Sequence, residues 1–142
     1  MLLKQISVFA ENRKGAIRDI TGVLFEAGVN LRAISIADTA DFGVVRLIVD
    51  KRKTALSALR ENGMTVKETD VLALEAEDTP GSFHKALALL TENDVMVEYS
   101  YGFVSPVGNG ATIILKCDDQ EKAHKCLLDN GFKLLSADDV KF

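Results

Sequence analysis

Two short polar segments hold the residues of this chain whose types and spacing could bind a small molecule. The first is Asn12-Arg13-Lys14-Gly15-Ala16-Ile17, which follows an alternating apolar segment and leads into a helical pattern. The start of a helix leaves backbone N–H groups unpaired and carries a partial positive charge, so it readily accepts a carboxylate. Asn12 has both donors and an acceptor, and Gly15 lets a ligand come close to the main chain. This segment therefore predicts a ligand position where the turn meets the helix.

The second segment, Asn30-Leu31, follows that helix and starts the next predicted strand. We expect it at the same end of the sheet as the first segment. The backbone amides of residues 15–17 can donate to the carboxylate of an α-amino acid, and the side-chain oxygens of Asn12 and Asn30 can accept from its ammonium group. In the alternative interpretation, Asn12 and Gly15 only form a turn and Asn30 only ends a helix. The spacing by itself leaves both interpretations open.

Hydrophobic periodicity predicts the elements that position these segments. Alternation with a period of two indicates strands, and apolar residues three or four apart indicate helices. The predicted strands are residues 4–10, 31–38, 44–50 and 64–69, and the predicted helices are residues 15–27 and 54–61. The order β-α-β-β-α-β is that of the ferredoxin-like fold, with both helices on one face of an antiparallel sheet and the other face open.

The same pattern then repeats without a linker. Gly15 returns as Gly81 and Leu31 returns as Val97, each 66 residues later. From the second hairpin onward the separation is 68 residues, because two further residues lie in the segment 105–110. A repeat that keeps strand, turn, helix and cap in phase indicates a duplicated unit. We therefore predict an α+β fold of two tandem ferredoxin-like βαββαβ units, residues 1–69 and residues 70–142.

Composition excludes several classes of function. A net charge of −4 and an isoelectric point near 5.2 argue against a nucleic-acid grip, and no apolar run reaches the length of a membrane span. Cys117 and Cys126 match neither a disulfide framework nor a metal motif, and His84 and His124 lie on different predicted helices. We expect a cytoplasmic protein with no catalytic set, no metal and no cofactor.

The two segments and their repeats resemble the ACT domain family of small-molecule, mostly amino-acid, sensors. The first copy matches through the turn at residues 11–17 and the helix end Ala27-Gly28-Val29-Asn30-Leu31, and the second through Asp78-Thr79-Pro80-Gly81-Ser82-Phe83. The resemblance covers the whole chain as two tandem copies. More narrowly, the chain is similar to the stand-alone tandem ACT proteins. It implies ligands between ACT units, where the turn of one unit meets the second strand of its neighbour. The residues it nominates are Asn12, Lys14, Gly15, Ala16, Ile17, Asn30 and Leu31.

The second copy departs from the first at three of the corresponding positions. Asp78 stands for Asn12, Asp94 for Gly28 and Met96 for Asn30. An anionic Asp78 beside a ligand carboxylate is unfavourable. The resemblance therefore implies one well-equipped site, in the first copy.

These observations predict a non-catalytic sensor that binds a free amino acid and forms a homodimer. The alternative is a regulatory subunit that docks on an amino-acid biosynthetic enzyme, as the small subunits of acetolactate synthase do. An acylphosphatase-like enzyme would need a glycine-rich loop around Arg13, which is absent. An RNA binder on this fold would have only Tyr99, Tyr101 and Phe103 to offer, on an acidic chain.

Overall fold

The computed structural model describes residues 2–38, 41–104 and 110–139. The chain divides into two compact units, the first formed by residues 4–69 and the second by residues 70–139 together with residues 2 and 3. The first unit contains β1 (Leu3–Glu11), α1 (Ala16–Glu26), β2 (Leu31–Asp38), β3 (Phe42–Val49), α2 (Arg52–Glu61) and the start of β4 (Thr65–Ala76). The second contains the rest of β4, α3 (Ser82–Glu92), β5 (Val97–Val104), β6 (Ala111–Cys117), α4 (Gln120–Asp129) and β7 (Lys133–Leu135).

Each unit has the predicted βαββαβ order and an antiparallel sheet. The strand order is β2-β3-β1-β4 in the first unit and β5-β6-β4-β7 in the second. The α+β fold class is thereby confirmed. The predicted strand 64–69 continues without a break into the first strand of the second unit, and the two form one strand, β4. The reason is local, since residues 65–76 contain no Gly or Pro that would break an extended backbone.

Each unit has its own apolar core between the helices and one face of the sheet. In the first unit the core joins Ile6 and Val8 on β1 to Ile20 and Leu24 on α1. In the second unit Leu72 and Leu74 on β4 meet Leu90 on α3 and Leu127 on α4. The repeated apolar positions thus make two equivalent cores.

The opposite face of each sheet carries no helix. We expected this face to be open, but several of its side chains are buried. Gln5 and Ser7 on β1 are 0% and 5% exposed, and Thr112 on β6 is 0% exposed. Gln5 can be buried because its side-chain amide donates to the hydroxyl of Ser7 at 3.1 Å, which satisfies one of its polar groups. No helix within the described part of the chain is long and apolar enough to cross a membrane.

The second helix of each unit ends in an Asn-Gly pair. The side-chain amide of Asn62 donates to the carbonyl oxygen of Ala58, and that of Asn130 to the carbonyl oxygen of Cys126, both at 2.8 Å. The glycines that follow have φ angles of 76° and 82°, a conformation that costs glycine little.

Candidate functional site

The turn between β1 and α1 is exposed and tightly bonded. The backbone N–H of Asn12 donates to the carbonyl oxygen of Asp41 at 3.2 Å. Gly15 takes a left-handed conformation, with φ 87°, just before the helix begins. The exposed side chains of Asn12 and Lys14 form no hydrogen bond with other residues that the structure describes. The turn therefore presents free polar groups on a fixed backbone.

The start of α1 keeps two backbone donors available. The N–H of Ala16 donates to the carbonyl oxygen of Arg13 at 3.3 Å, and the N–H of Asp19 donates to the carbonyl oxygen of Gly15 at 3.0 Å. Between them, the N–H groups of Ile17 and Arg18 have no acceptor in the described ranges, and no side chain caps the helix. These are the donors that a carboxylate would use.

Two guanidinium groups converge on one carboxylate beside these donors. Nη2 of Arg13 lies 2.9 Å from Oδ2 of Asp19, and Nη2 of Arg18 lies 3.0 Å from Oδ1. The guanidinium of Arg18 also lies next to Gly15, where an added Cβ would approach Nη2 to 3.1 Å. A side chain at residue 15 would need this exposed guanidinium to shift by a few tenths of an ångström, and the left-handed φ of Gly15 disfavours any side chain there.

The hydrogen bonds from Arg13, and to a lesser degree from Arg18, hold the pKa of the Asp19 carboxyl below its ordinary value. The ion pairs lie in water, since 81% of the Arg18 side chain is exposed. Exposed ion pairs of this kind are weak. A ligand carboxylate can therefore compete with Asp19 for the two arginines.

Asn30 lies far from this turn within its own unit, and our expectation that both share one end of the sheet is wrong. Glu11, at the end of β1, is opposite Phe42 on β3, whereas Leu31, at the start of β2, is opposite Val49. Phe42 and Val49 are seven residue steps apart along the strand, a span of about 23 Å. The helix returns the chain to the end of the sheet at which β1 began, so β1 and β2 run parallel. The end of β1 and the start of β2 therefore lie at two different ends of the sheet.

The backbone at Asn30 has a structural partner that recurs in the second unit. The N–H of Asn30 donates to Oδ1 of Asp50 at 2.8 Å, and the N–H of Met96 donates to Oδ1 of Asp118 at 3.0 Å. The Asn30 side chain is exposed, and Leu31 packs against the core of the first unit. The structure thus brings together residues 12–17 and sets Asn30 and Leu31 apart from them.

The turn of the second unit has the same backbone and different side chains. Gly81 has φ 84° and precedes α3 as Gly15 precedes α1. The hydroxyl of Ser82 donates to the carbonyl oxygen of Glu77 at 2.6 Å. Asp94 takes a left-handed φ of 58° at the position of Gly28. Lys85 occupies the position of Asp19, so the arginine cluster has no counterpart here.

Cavities lie beside both turns. Beside α1 a cavity of about 260 Å³ is lined by the end of β1, Arg13 and Asp19, and the same two residues also line a wider groove of about 930 Å³ along α1 and α2. Beside α3 the corresponding cavity measures about 690 Å³. The cavity between the end of the strand and the helix start is therefore larger in the second unit, whereas the wide groove along the two helices belongs to the first unit.

Groups for nucleophilic or metal chemistry are not brought together in the described residues. No cluster of three His, Cys, Asp or Glu side chains in these ranges could hold a metal ion. Burial, with Asp118 nearby, raises the pKa of the Cys117 thiol to about 11, so it remains protonated at neutral pH. His84 is exposed on α3.

Sequence reasoning did not single out the pairing of Arg13 and Arg18 with Asp19. The sequence does show an acidic residue, Asp19, in the first turn of the predicted helix, with Arg18 beside it and Arg13 six residues before it. This pattern could have indicated the cluster. The sequence analysis also did not single out Glu75, Thr112 and Lys133. These charged and polar residues lie on three different strands, and only the strand register shows that they are neighbours.

The family model described as "ACT domain pair" matches residues 1–141. The chain is 35% identical to protein BT0572 from Bacteroides thetaiotaomicron, with a TM-score of 0.91 over 98% of this chain and 95% of that one. No curated protein matches significantly.

Two more distant structures share the fold. The regulatory subunit of aspartate kinase from Thermus thermophilus, in its ligand-free form, is 15% identical, with a TM-score of 0.62 over 90% of this chain and 92% of that one. The regulatory subunit of aspartate kinase from Thermus flavus is also 15% identical, with a TM-score of 0.61 over 89% of this chain and 90% of that one.

Proposed function

The chain belongs to the family of ACT domain pairs, and on that premise we propose that it is a non-catalytic sensor of a free amino acid. The ligand site uses the turn and helix start at Asn12, Lys14, Gly15, Ala16 and Ile17, together with Asn30 and Leu31. The proposal includes two ACT domains, residues 1–69 and 70–142, a cytoplasmic location, and no cofactor or metal.

The observation that carries this proposal is the uncapped start of α1. Two backbone N–H groups, of Ile17 and Arg18, lack acceptors among the described residues. Gly15 leaves the backbone accessible, and Lys14 adds an exposed cation. Together these groups suit the α-carboxylate of an amino acid.

The ammonium group needs acceptors, and Asn12 supplies only one side-chain oxygen at this end of the sheet. Because Asn30 lies at the opposite end of its own unit, it can join the site only from a neighbouring unit. β2 is an edge strand, and its side chains Ile34 and Ile36 are 39% and 55% exposed. Two β2 strands paired antiparallel across a two-fold axis would bring Asn30 of one copy to the end at which the other copy has its turn. A homodimer of this kind completes the site.

The expected affinity is modest. Three or four charge-assisted hydrogen bonds contribute roughly 1.5–3 kcal/mol each, and immobilising the ligand and the side chains offsets much of this gain. The remainder corresponds to dissociation constants of about micromolar to millimolar. This range suits a sensor of metabolite pools.

A thermal-shift screen of the twenty amino acids tests the proposal. We expect at least one of them to stabilise the protein. Asn30→Ala should weaken its binding much more than Met96→Ala, the matched change in the second unit. Stabilisation by none of the twenty would contradict the sensor function, and equal effects of the two substitutions would show that the site is misplaced.

A second candidate function is regulation of an amino-acid biosynthetic enzyme through direct docking. Phe25 on α1 and Phe42 on β3 are 79% and 61% exposed, and large exposed apolar side chains often mark partner surfaces. Binding of such an enzyme to the chain, and its loss on Phe25→Ser, would support this function. Retention of the complex in that variant would argue against docking through α1.

A further inference from the structure

Three exposed apolar side chains lie along one edge of the first unit. They are Phe25 on α1 and Ile34 and Ile36 on β2, which are 79%, 39% and 55% exposed. The partners of the two isoleucines on β3, Leu47 and Val45, belong to the core beneath the helices. Ile34 and Ile36 therefore point to the helix side of the sheet, because directly paired residues share a face. We call Phe25, Ile34 and Ile36 the edge patch.

Phe25 projects over the same edge as the two isoleucines. α1 joins β1 to the edge strand β2, whereas α2 joins β3 to β4, so α1 is the helix on the β2 side of the unit. Val23 and Ala27 line the groove between α1 and α2. Phe25 is two residues from each of them, about 200° around the helix. Its ring therefore lies on the side of α1 that faces the β2 edge.

The matched positions of the second unit are small or polar. Thr91, Ser100 and Gly102 stand there in place of the edge patch. The second unit also has an edge strand at this place, β5, which corresponds to β2. An edge in this fold therefore does not require large apolar side chains. The edge patch is specific to the unit in which we propose the ligand site.

The second copy that the proposed function requires would cover this edge. With the two-fold axis at Ser35, near the middle of β2, each residue of the strand lies opposite the one equally far on the other side of Ser35. Ile36 of one copy is then paired with Ile34 of the other. The four isoleucines of the two copies become one apolar surface on the helix side of the joined sheets.

Charges near the ends of β2 favour this register. Asp38 of each copy lies opposite Arg32 of the other, and opposite charges on paired strands stabilise the pairing. In the equivalent pairing of β2 with β5 of a second copy, Asp38 would lie opposite Glu98, and like charges at this distance destabilise a pairing. The partner that fits this edge is therefore the same edge of a second copy.

This register sets the edge patch of one copy beside the ligand-binding turn of the other. The turn follows Glu11, which lies opposite Phe42 at the start of β3. The next residue, Gly43, lies opposite Asp38 at the end of β2. The turn is therefore level with the end of β2. The two-fold axis brings the start of the second copy's β2 to this level, together with the end of its α1, which carries Phe25.

We infer that the edge patches of two copies enclose the side chain of the bound amino acid, and that this side chain is apolar. Ile36 and the second copy's Ile34 form the floor beside the turn, and the second copy's Phe25 forms the wall that faces the start of α1. A polar side chain loses its hydration at such a place, whereas an apolar one gains from the area that it buries. This inference rests on the proposed function and names the class of amino acid that the site takes.

Pairs of amino acids with side chains of similar shape test this inference. Isothermal titration calorimetry of the full chain compares leucine with asparagine and valine with threonine. In each pair one side chain is apolar and the other is polar and of nearly the same size. We expect the apolar member of each pair to bind at least roughly tenfold more tightly, as the burial of a few apolar carbon atoms implies.

Two substitutions sharpen the test. Phe25→Ser should weaken the binding of leucine by roughly threefold to thirtyfold and leave that of asparagine nearly unchanged, because only the apolar side chain gains from the ring. The ratio of the two affinities is the measurement, since a mere loss of the dimer would weaken both ligands alike. Leu128→Ser is the control. Leu128 is also exposed, at 47%, but it lies on α4 of the second unit, so its loss should change neither affinity.

The outcomes separate this inference from the proposed function. Binding of an amino acid without preference for the apolar member of each pair would overturn the inference and leave the sensor function intact. Equal losses for leucine and asparagine in Phe25→Ser would assign Phe25 to packing between the copies and overturn its place in the site. Binding of none of the twenty amino acids would overturn both.

Discussion

The turns that open α1 and α3 have nearly the same backbone and almost opposite chemistry. Gly15 and Gly81 precede the helices with φ angles of 87° and 84°, and both helices have 11 residues. Around the first turn, arginines surround Asp19 beside a small cavity. Around the second, Lys85 replaces Asp19 and the cavity is larger. The glycine and the helix start therefore fix the backbone, and the surrounding side chains are free to diverge.

The largest expected effect tests whether the cores are as alike as the backbones. Leu24 on α1 and Leu90 on α3 occupy matched positions and are 2% and 0% exposed. Leu24→Ala and Leu90→Ala should each lower the free energy of unfolding by about 2–5 kcal/mol, because each leaves a cavity in a packed core. Denaturant unfolding of the two variants measures the losses. A clear inequality would break the equivalence of the units at their cores.

Substitutions at the starts of α2 and α4 should have unequal effects on the free energy of unfolding, and the larger of the two should be intermediate in size. Gln120 accepts from the backbone N–H of Cys117 and donates to the carbonyl oxygen of Asp70 at 2.8 Å. Its counterpart Arg52 forms an ion pair with Glu68, in which both side chains are about one-third exposed. Gln120→Ala removes two hydrogen bonds to backbone groups and should cost about 1–3 kcal/mol.

Arg52→Ala is the matched control, and it should cost only about 0–1 kcal/mol because the pair is partly exposed to water. Thermal or denaturant unfolding compares the two variants. A larger loss for Arg52→Ala would reverse this difference between the units.

The smallest effect is a dependence on pH that only the first turn should show. The pKa of Asp19 is lowered in the folded state, chiefly by Arg13. The contribution of the Asp19 carboxylate to stability is therefore complete above the pKa that this carboxyl has in the unfolded chain, about 4. It is lost as the pH falls through the lower pKa of the folded state. Asp19→Asn should thus reduce the melting temperature slightly at neutral pH and leave it unchanged in strong acid.

Titration of the Asp19 carboxyl by ¹³C NMR provides the direct measurement. Arg13→Gln should raise its pKa more than Arg18→Gln, because Arg13 donates the dominant hydrogen bond. An equal rise in both variants would contradict this ranking of the two arginines.

Much of the fold follows from periodicity in the sequence. The faces of β1 and the apolar stripe of α1 could be read directly, because side-chain direction repeats every two residues in a strand and every 3.6 in a helix. The duplication was visible because Gly81 repeats Gly15 in phase with the strands. Boundaries were less certain, and the two strands expected on either side of residue 70 are one strand in the structure.

The site could be predicted only in part. Gly15 and the helix start followed from local pattern, whereas the position of Asn30 depended on strand direction. A helical crossover makes β1 and β2 parallel, and applying this rule would have set Asn30 at the far end of the sheet. The ion pair of Glu75 and Lys133 joins two strands distant in sequence, and only the register brings the two residues together.

The Asn-Gly pairs that end α2 and α4 also bear on how this protein ages chemically. Deamidation requires the N–H nitrogen of the glycine to attack the asparagine side chain, and asparagine is among the thermolabile residues. In the folded chain the side-chain amides of Asn62 and Asn130 are bound to helix carbonyl groups. The N–H groups of Gly63 and Gly131 donate to Arg60 at 3.0 Å and to Leu128 at 3.1 Å. Both reacting groups are thus occupied, and the rate of this damage should follow the population of molecules in which the ends of these helices have opened.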